Sequence, residues 1–283
     1  MEMNQTNILR IEDAVKQVLK TAVDCEMKNI PTGFQGLDAL TKGWFLGEFC
    51  IIGGRPMMGK SAFVISAMGH LIWQKIPVLF LSATDVLNKE FIARLMSSIK
   101  RQKVDCDAFT DVDCSDIPLY LNLRTNLTLA YIKENAQTCV KDYGVKCIFI
   151  ETIQSVFDSE NDGNTKEGME KICHELKMLA RELNVPLIMT SDLNRGTEYR
   201  DGMEGKRPQM QDLRGSSYIE NMADSVYLLF RPAYYQIFCD EMGRDLRNTM
   251  EVIVAKKKYG CTGEVKLYYD PTTGLIKDFY TNI

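Results

Sequence analysis

The stretch that decides the fold is Gly54-Arg55-Pro56-Met57-Met58-Gly59-Lys60-Ser61, which fits the pattern G-x-x-x-x-G-K-[ST]. Glycines at both ends of such a loop let the backbone curl, so that its N–H groups point at phosphate oxygens. The lysine brings a positive charge to the β- and γ-phosphates, and the serine hydroxyl binds Mg²⁺. The residues predicted to bind nucleotide here are Gly54, Arg55, Pro56, Met57, Met58, Gly59, Lys60, Ser61 and Ala62.

The segments on either side of this loop support the assignment. The apolar run Phe49-Cys50-Ile51-Ile52 predicts a buried strand, and residues 62–74 predict a helix rich in Ala, Ile, Val, Met and Leu. The positive end of a helix placed after the loop adds to an anion site. A glycine-rich turn with an incidental lysine is the alternative, and the order strand, loop, helix favours a nucleotide site.

Composition excludes several other classes of protein. The 283 residues are 45% hydrophobic with a net charge of −4, which suits a packed core and gives no global signature for nucleic acid. Nine cysteines without a C-x-x-C pair and two histidines argue against a zinc site or a disulfide framework. Reduced thiols in a cytoplasmic protein are expected instead. With no long apolar run and a polar N-terminus, neither a membrane span nor a secretory signal is expected.

Periodicity divides the chain into a helix and a core. Residues 8–27 carry apolar side chains at three- and four-residue steps, which predicts an amphipathic helix within a linker region of residues 1–29. Its stripe packs either on its own domain or on a neighbouring subunit, and the pattern favours neither. Residues 30–283 then alternate between strand-like and helix-like segments. Predicted strands are 49–53, 78–83, 118–122, 147–153, 186–191, 225–230, 250–256 and 264–269; predicted helices are 61–75, 87–101, 128–142, 167–183 and 234–242.

Several of these strands are continuous apolar runs, such as Cys147-Ile148-Phe149-Ile150. Strands of that kind are buried on both faces, as in parallel sheets with helices on either side. Gly260 and Gly263 separate the last two strands, which predicts an antiparallel β-hairpin. The expected fold is therefore α/β, with a mostly parallel central sheet, helices on both faces and a C-terminal hairpin.

Several ordered motifs resemble the motor domain of DnaB-type hexameric replicative helicases, a branch of the RecA-like P-loop ATPases. The likeness covers roughly residues 8–270 and implies a RecA-like core preceded by the family's linker helix, without its N-terminal collar domain. The motifs are Ile30-Pro31-Thr32-Gly33-Phe34, Leu37-Asp38, the phosphate loop, Ser191-Asp192-Leu193-Asn194-Arg195, Asp212-Leu213-Arg214, Ala255-Lys256-Lys257-Lys258 and Gly260-Cys261-Thr262-Gly263. The resemblance moves residues 8–27 toward docking on an adjacent subunit of a ring.

The chain departs from the family at the group that activates water. Thr84 aligns with the family's glutamate after the second strand of the core, and its hydroxyl is not a base near neutral pH. Asp85 follows and substitutes only if the strand end is irregular, because successive side chains face opposite ways. Both residues are carried forward as candidate catalytic positions.

Two further departures concern metal and γ-phosphate. Glu151 stands where the family has the Walker B aspartate and remains a candidate metal ligand with Ser61. The alternative for Glu151 is a carboxylate facing solvent at a strand end. Asp192 replaces the family's γ-phosphate-sensing glutamine, so it adds repulsion between like charges unless it binds a metal or a proton.

The resemblance also implies basic residues that act on the neighbour's nucleotide. Lys258 aligns with the family's arginine finger and keeps the charge, but it loses the planar fork that grips phosphate bidentately. Lys256 matches another basic residue of the family that works in trans. A lysine-rich edge strand that discourages aggregation is the alternative for this segment.

Contacts with single-stranded DNA are predicted in the loop segments after the strand ending near Ser191. Arg214 and Gly215 correspond to a family loop that faces the central channel, and Arg195 and Arg207 lie in the loop before it. A solvated loop of mixed charge is the alternative, because acidic residues are interspersed among these basic ones.

The leading hypothesis is an ATP- and Mg²⁺-dependent DNA helicase or translocase that forms a hexameric ring on single-stranded DNA in replication, with possible replication proteins as partners. The rival is a degenerate homologue that binds ATP and acts as a loader, scaffold or nucleotide switch. The departures at Thr84, Asp192 and Lys258 favour the rival, since all would lie near one γ-phosphate. The intact loop, with Lys60 and Ser61, supports nucleotide binding under either hypothesis.

Overall fold

The structure is a computed structural model that describes residue 11 and residues 29–83, 89–100, 114–124, 126–158 and 165–279. The predicted linker helix therefore lies almost entirely outside the described residues, and the boundary at residue 29 stays a prediction. A set of mostly parallel strands and flanking helices fills the described part of the chain. Its strands are β1 (Asn29–Ile30), β2 (Trp44–Phe45), β3 (Phe49–Gly54), β4 (Val78–Ser82), β5 (Leu119–Leu123), β6 (Leu127–Thr128), β7 (Cys147–Glu151), β8 (Val156–Phe157), β9 (Leu187–Asp192), β10 (Ser225–Phe230), β11 (Thr249–Lys257), β12 (Gly263–Tyr269) and β13 (Ile276–Asp278).

Nine of these described strands form one mixed sheet in the order β13-β12-β11-β10-β3-β9-β7-β4-β5. The six strands from β10 to β5 run parallel, and β11, β12 and β13 add antiparallel neighbours at one side. The predicted hairpin is the β11–β12 pair. The mostly parallel sheet with its C-terminal hairpin is confirmed.

The α-helices of the described residues lie on both faces of the sheet. They are α1 (Gln35–Thr41), α2 (Lys60–Trp73), α3 (Lys89–Lys100), α4 (Leu129–Tyr143), α5 (Lys166–Leu183), α6 (Gly202–Lys206) and α7 (Ser216–Met222). Local sequence fixes several helix ends. The Thr165 hydroxyl accepts a hydrogen bond from the Gly168 N–H at the start of α5, and Gly144 ends α4 in the left-handed conformation.

Successive side chains of the central strands pack into two separate hydrophobic cores, one on each face of the sheet. On β3, Cys50 and Ile52 join a core with α1, α2 and α3, whereas Phe49 and Ile51 join a core with α4, α5 and α7. These four side chains are fully buried. Both faces of the strand must therefore be apolar, which explains the continuous hydrophobic runs in the sequence.

The predicted helix at 234–242 is wrong. A 3₁₀ turn at Pro232–Tyr235 ends at Gln236, which has a left-handed φ of 60°, and an isolated bridge between Cys239 and Asp245 follows. Tyr234, Phe238 and Met242 recur at helical spacing, but all three side chains are exposed, so packing on a core does not hold a helix past the left-handed Gln236. The predicted strand 147–153 ends at Glu151, and the sheet strand β13 was not predicted.

In the part of the chain that the structure covers, no helix combines the length and the apolar character needed to cross a bilayer.

Candidate nucleotide site

The Gly54–Ser61 loop connects the carboxyl end of β3 to the first turn of α2. Gly59 has a φ of +100°, a conformation that L side chains rarely adopt, and a Cβ there would lie 2.6 Å from Cε of Met250. The Arg55 carbonyl accepts a hydrogen bond from the Met58 N–H at 3.1 Å, which closes the turn. The sequence thus forms the curled loop at the start of a helix that the motif predicts.

Three neighbouring strand ends meet at this loop. Gly54 at the end of β3 pairs in register with Asp192 at the end of β9, and β7, which ends at Glu151, lies on the other side of β9. Lys60 places its ammonium 2.9 Å from the carboxylate of Asp192. Ser61 donates a hydrogen bond from its hydroxyl to the Glu151 carboxylate. Ser61, Glu151 and Asp192 are thus brought together around Lys60 by the parallel sheet.

The Glu151 carboxylate is partly withdrawn from water at this point. Burial raises its pKa above the ordinary range, and the nearby Asp192 charge adds to the rise. The hydrogen bond from Ser61 and the charge of Lys60 oppose that shift. A hydroxyl and a carboxylate side by side are oxygen ligands of the kind that Mg²⁺ takes, so the residues present fit a Mg²⁺–nucleotide.

Arg55 tethers the loop to the segment that follows β9. Its guanidinium donates to the Glu198 carboxylate at 2.8 and 2.6 Å and to the Leu193 carbonyl at 2.8 Å. The side chain is buried, so these bonds replace water that it has lost. Arg55 therefore holds the loop in place, while Met57 beside it is exposed.

Arg231 and Gln154 belong to the site and were not predicted. Arg231 donates from its guanidinium to the Met57 carbonyl at 3.2 Å and lies 3.7 Å from the centre of the Tyr269 ring. The Gln154 side chain accepts from the Asp192 N–H at 3.2 Å and donates to the Arg214 carbonyl at 3.4 Å. Neither residue belongs to a recognisable local motif: the fold alone brings Arg231 to the loop and Gln154 to Asp192.

The candidate DNA-binding residues lie in two places. The segments after Asp192 and before Gly215 are paired, since the Arg214 N–H donates to the Asp192 carbonyl at 2.9 Å. This pairing places exposed Arg195, Arg214 and Gly215 beside the nucleotide site. Arg207 lies elsewhere: its guanidinium is paired with the buried Glu251 and with Glu264 at 2.6 Å. The structure does not bring Arg207 to the exposed group, because buried acid holds it.

The lysines at the end of β11 lie at the opposite end of the parallel strands from the phosphate loop, which we call the opposite edge of the sheet. Val226 pairs with Lys256, and Ser225 pairs with both Lys257 on β11 and Cys50 at the beginning of β3. At about 3.3 Å per residue, the four residues from Cys50 to Gly54 span about 13 Å, so this edge is far from the chain's own phosphate loop.

The three lysines have different surroundings. Lys257 is buried and bonded to Glu48, whereas Lys258 is exposed and lies 3.8 Å from the Asp224 carboxylate. Lys256 is half-buried and donates from its ammonium to the Glu220 carbonyl. Burial lowers its pKa, and the neighbouring Lys177 charge adds to that effect.

Three basic side chains lie around the Asp224 carboxylate at this edge. Its carboxylate lies 3.0 Å from the Lys177 ammonium and 4.0 Å from the Arg181 guanidinium, in addition to Lys258. Arg181, Asp224 and Lys258 also line a cavity of about 170 Å³. This cluster is formed by α5, the residue after β11 and the residue before β10, so spacing along the sequence gave no sign of it.

Thr84 and Asp85 lie outside the described residues, and their catalytic roles stay predictions. The described strand before them, β4, does end beside β7, because Ser82 pairs with Glu151.

Comparison with known proteins agrees with this architecture. A family model described as the DnaB-like helicase C terminal domain matches residues 29–278. The chain is 32% identical over 260 residues to a replicative DNA helicase DnaB of Leifsonia xyli, which covers 87% of this chain and 55% of the relative. A replicative DNA helicase DnaB of Geobacillus stearothermophilus is 29% identical over 261 residues, 87% of this chain and 56% of the relative.

Two solved structures share the fold. One is described as a DnaB-like replicative helicase and its interactions with primase; it has a TM-score of 0.75 and 28% identity over 95% of this chain and 68% of its own. The other is described as an ATPase domain, with a TM-score of 0.74 and 26% identity over 96% of this chain and 100% of its own. The chain spans about half the length of the curated relatives that it matches.

Proposed function

Because the chain belongs to the DnaB-like helicase C-terminal domain family, we propose that it is the ATP-driven motor of a replicative helicase that moves along single-stranded DNA as a ring. The observation that carries the proposal is the meeting of Lys60, Ser61, Glu151 and Asp192 at adjacent ends of three parallel strands. Hydrolysis of ATP needs a cation to bind phosphate, oxygen ligands to bind the metal and a group to position the attacking water, all close together.

The phosphate loop and Lys60 would hold the phosphates of ATP, and Ser61 and Glu151 would hold Mg²⁺. A bound Mg²⁺ supplies positive charge that neutralises the phosphate oxygens as the γ-phosphoryl group leaves. Of this chain's residues, Arg55 would fix the loop, and Gln154, in the turn after β7, would hold the backbone of Asp192 beside it. Thr84 or Asp85 would position the water.

Lys256 and Lys258 would act on the nucleotide of a neighbouring subunit. They lie at the edge of the sheet opposite their own phosphate loop, which supports action in trans over action in cis. Such an arrangement requires a closed ring of subunits or a filament, and a hexameric ring suits the family. Residues 8–27 would dock each subunit on the next.

Mixing two inactive variants tests the trans arrangement. Lys60→Ala disables the phosphate loop of its own subunit, and Lys258→Ala removes the lysine that would reach the nucleotide of the neighbouring subunit. In a mixed ring, a Lys258→Ala subunit beside a Lys60→Ala subunit has an intact composite site, so phosphate release should reappear. If the mixture stays as inactive as either variant alone, Lys258 does not act in trans.

Single-stranded DNA would lie against Arg195, Arg214 and Gly215. The backbone bond between Arg214 and Asp192 supports this choice, because it joins the candidate DNA loop directly to the nucleotide site. Arg207 is a weaker candidate while it is held by Glu251. Arg214→Ala should weaken DNA binding and DNA-stimulated hydrolysis, while Arg207→Ala should mainly reduce stability.

A second candidate is a nucleotide-binding homologue that switches or scaffolds with little hydrolysis. The pairing of Lys60 with Asp192 favours it, since a family glutamine would not carry that charge. Steady-state release of phosphate from Mg–ATP, with and without single-stranded DNA and with Lys60→Ala as the blank, separates the two. DNA-stimulated release above the blank supports the motor, and measurable ATP binding without release supports the switch.

The cellular setting follows from the same proposal. A replicative motor works with DNA replication proteins in the cytoplasm, and the solved relative described with primase makes a primase one partner to test. Pull-down of this chain with such a partner, in the presence of nucleotide, measures whether that contact exists.

A further inference from the structure

Asp192 is held in place by its backbone. It lies at the end of β9 opposite Gly54, and its N–H donates to the Gln154 side chain at 3.2 Å. Its carbonyl accepts from the Arg214 N–H at 2.9 Å. An aspartate has one methylene between backbone and carboxylate, so this anchoring keeps the charge beside the phosphate loop.

The carboxylate of Asp192 occupies a position that matters for phosphate recognition. It lies 2.9 Å from the Lys60 ammonium, which also donates to the Gly54 carbonyl at 2.9 Å. In a loop of this pattern that lysine serves the β- and γ-phosphates. Asp192 therefore offers Lys60 an anionic oxygen of the kind that a γ-phosphate would offer.

A second carboxylate stands nearby. Glu151 is close enough for both Lys60 and Asp192 to influence it electrostatically, and it bonds to Ser61. The end of the loop thus holds two acidic groups and one lysine. Each additional negative charge brought into this space is opposed by Asp192, and the effect is stronger in a partly buried site than in water.

We propose that Asp192 makes this site prefer nucleoside diphosphates to nucleoside triphosphates. With a diphosphate bound to the backbone N–H groups of the loop, Lys60 can reach the β-phosphate and keep its contact with Asp192, because an ammonium has three donors. A triphosphate must draw Lys60 away from Asp192 and place its γ-phosphate against the carboxylate. The inference rests on the proposed function only in that the loop binds a nucleotide; it does not require hydrolysis.

Competition binding to the full chain tests the proposal, with a fluorescent adenine nucleotide displaced by Mg–ADP or by a non-hydrolysable Mg–ATP analogue. The measured quantity is the ratio of the two dissociation constants in each variant. Asp192→Asn removes the charge and keeps the shape. It should shift the ratio toward the triphosphate at least tenfold, about 1.4 kcal/mol, mainly by tightening triphosphate binding.

Two further variants make the result specific. Asp192→Glu keeps the charge and should keep the wild-type preference within a few-fold. Asp201→Asn removes an exposed carboxylate from a neighbouring segment, so it matches the change in net charge and should leave the ratio unaltered. A thermal melt of each variant checks that it is folded.

The outcomes separate this inference from the proposed function. An unchanged ratio in Asp192→Asn overturns the inference alone. A loss of triphosphate affinity in that variant also overturns it, and would mean that Asp192 helps to bind the Mg²⁺ of the triphosphate. Failure of the wild type to bind either nucleotide overturns both, because the proposed function then fails as well.

Discussion

Lys257 and Glu48 form a buried ion pair whose removal should show how this edge of the sheet is held. The Lys257 ammonium donates to both carboxylate oxygens of Glu48 at 2.9 Å and to the Gly43 carbonyl at 2.8 Å. The exposed fractions of the two side chains are 0% and 4%. Lys257→Met would therefore leave a buried carboxylate without its counter-charge.

The magnitude follows from what remains around Glu48. Removing one partner of a buried pair costs about 3–5 kcal/mol. The Glu48 carboxylate would keep hydrogen bonds from the Phe45 N–H at 2.7 Å and from the Ser225 hydroxyl. We therefore expect Lys257→Met to lower the free energy of unfolding by about 3 kcal/mol, the low end of that range. The double change Lys257→Met with Glu48→Leu should cost less than Lys257→Met alone, since no unpaired charge is left.

Urea unfolding followed by circular dichroism measures these free energies, and an unchanged slope m keeps them comparable. Lys133→Met is the matched control, because Lys133 pairs with Glu175 where both side chains are partly exposed. That change should cost no more than about 1 kcal/mol. The reasoning is refuted if Lys257→Met costs as little as the control, or if the double variant is less stable than Lys257→Met.

Three other changes test separate features. Gly59→Ala should weaken nucleotide binding, because a left-handed conformation costs alanine about 1–2 kcal/mol and the new Cβ would lie 2.6 Å from Cε of Met250. Gly144→Ala, at φ +66° with open space around its Cβ, should lower only the melting temperature, and equal nucleotide binding by both variants would contradict this. Glu151→Gln, measured without Mg²⁺, should be more stable than the wild type at pH 7 and equal to it below about pH 4: the raised folded pKa means that the wild type loses stability as pH rises from the unfolded value of about 4.3 through the folded one. A gain at acid pH as well would point to a cause other than charge. Burial raises the pKa of the Cys173 thiol to about 12, so a thiol reagent at pH 8 should label the exposed Cys261 and spare Cys173 in the folded chain; loss of the fast labelling phase in Cys173→Ser would show the opposite.

The central sheet could be predicted because its strands carry their own signal. All eight predicted strands occur, and several of them are runs such as Cys147-Ile148-Phe149-Ile150 that are buried on both faces of the sheet. The short strand Ile276–Asp278 was missed because three residues at the edge of a sheet carry too little pattern. The failed helix at 234–242 shows the converse, since the helical spacing of Tyr234, Phe238 and Met242 does not produce a helix where those side chains are exposed.

The candidate site divides in the same way. Gly59, Lys60 and Ser61 are recognised by spacing within one loop, and Glu151 and Asp192 by the family positions with which they align. Gln154, Glu198 and Arg231 could not be found, because their contacts join residues that are 38, 143 and 174 positions apart. Such contacts depend on the order of strands in the sheet, which no local pattern encodes.

Two departures from the family, Asp192 and Lys258, lie at opposite ends of the parallel strands. Asp192 lies beside Lys60 of its own phosphate loop, so under the proposed function its charge would act on a nucleotide in the same subunit whether or not a ring forms. Lys258 lies at the other end of the strands with Arg181 near the same Asp224 oxygen, so under the proposed function its effect would depend on a neighbour. Restoring Asp192→Gln should therefore change nucleotide affinity even in isolated subunits, whereas Lys258→Arg should change turnover only at protein concentrations that support assembly. A titration of protein concentration at fixed nucleotide separates them: equal concentration dependence for the two variants would mean that both residues act within one subunit, and the assignment of the opposite edge to a neighbour would fail.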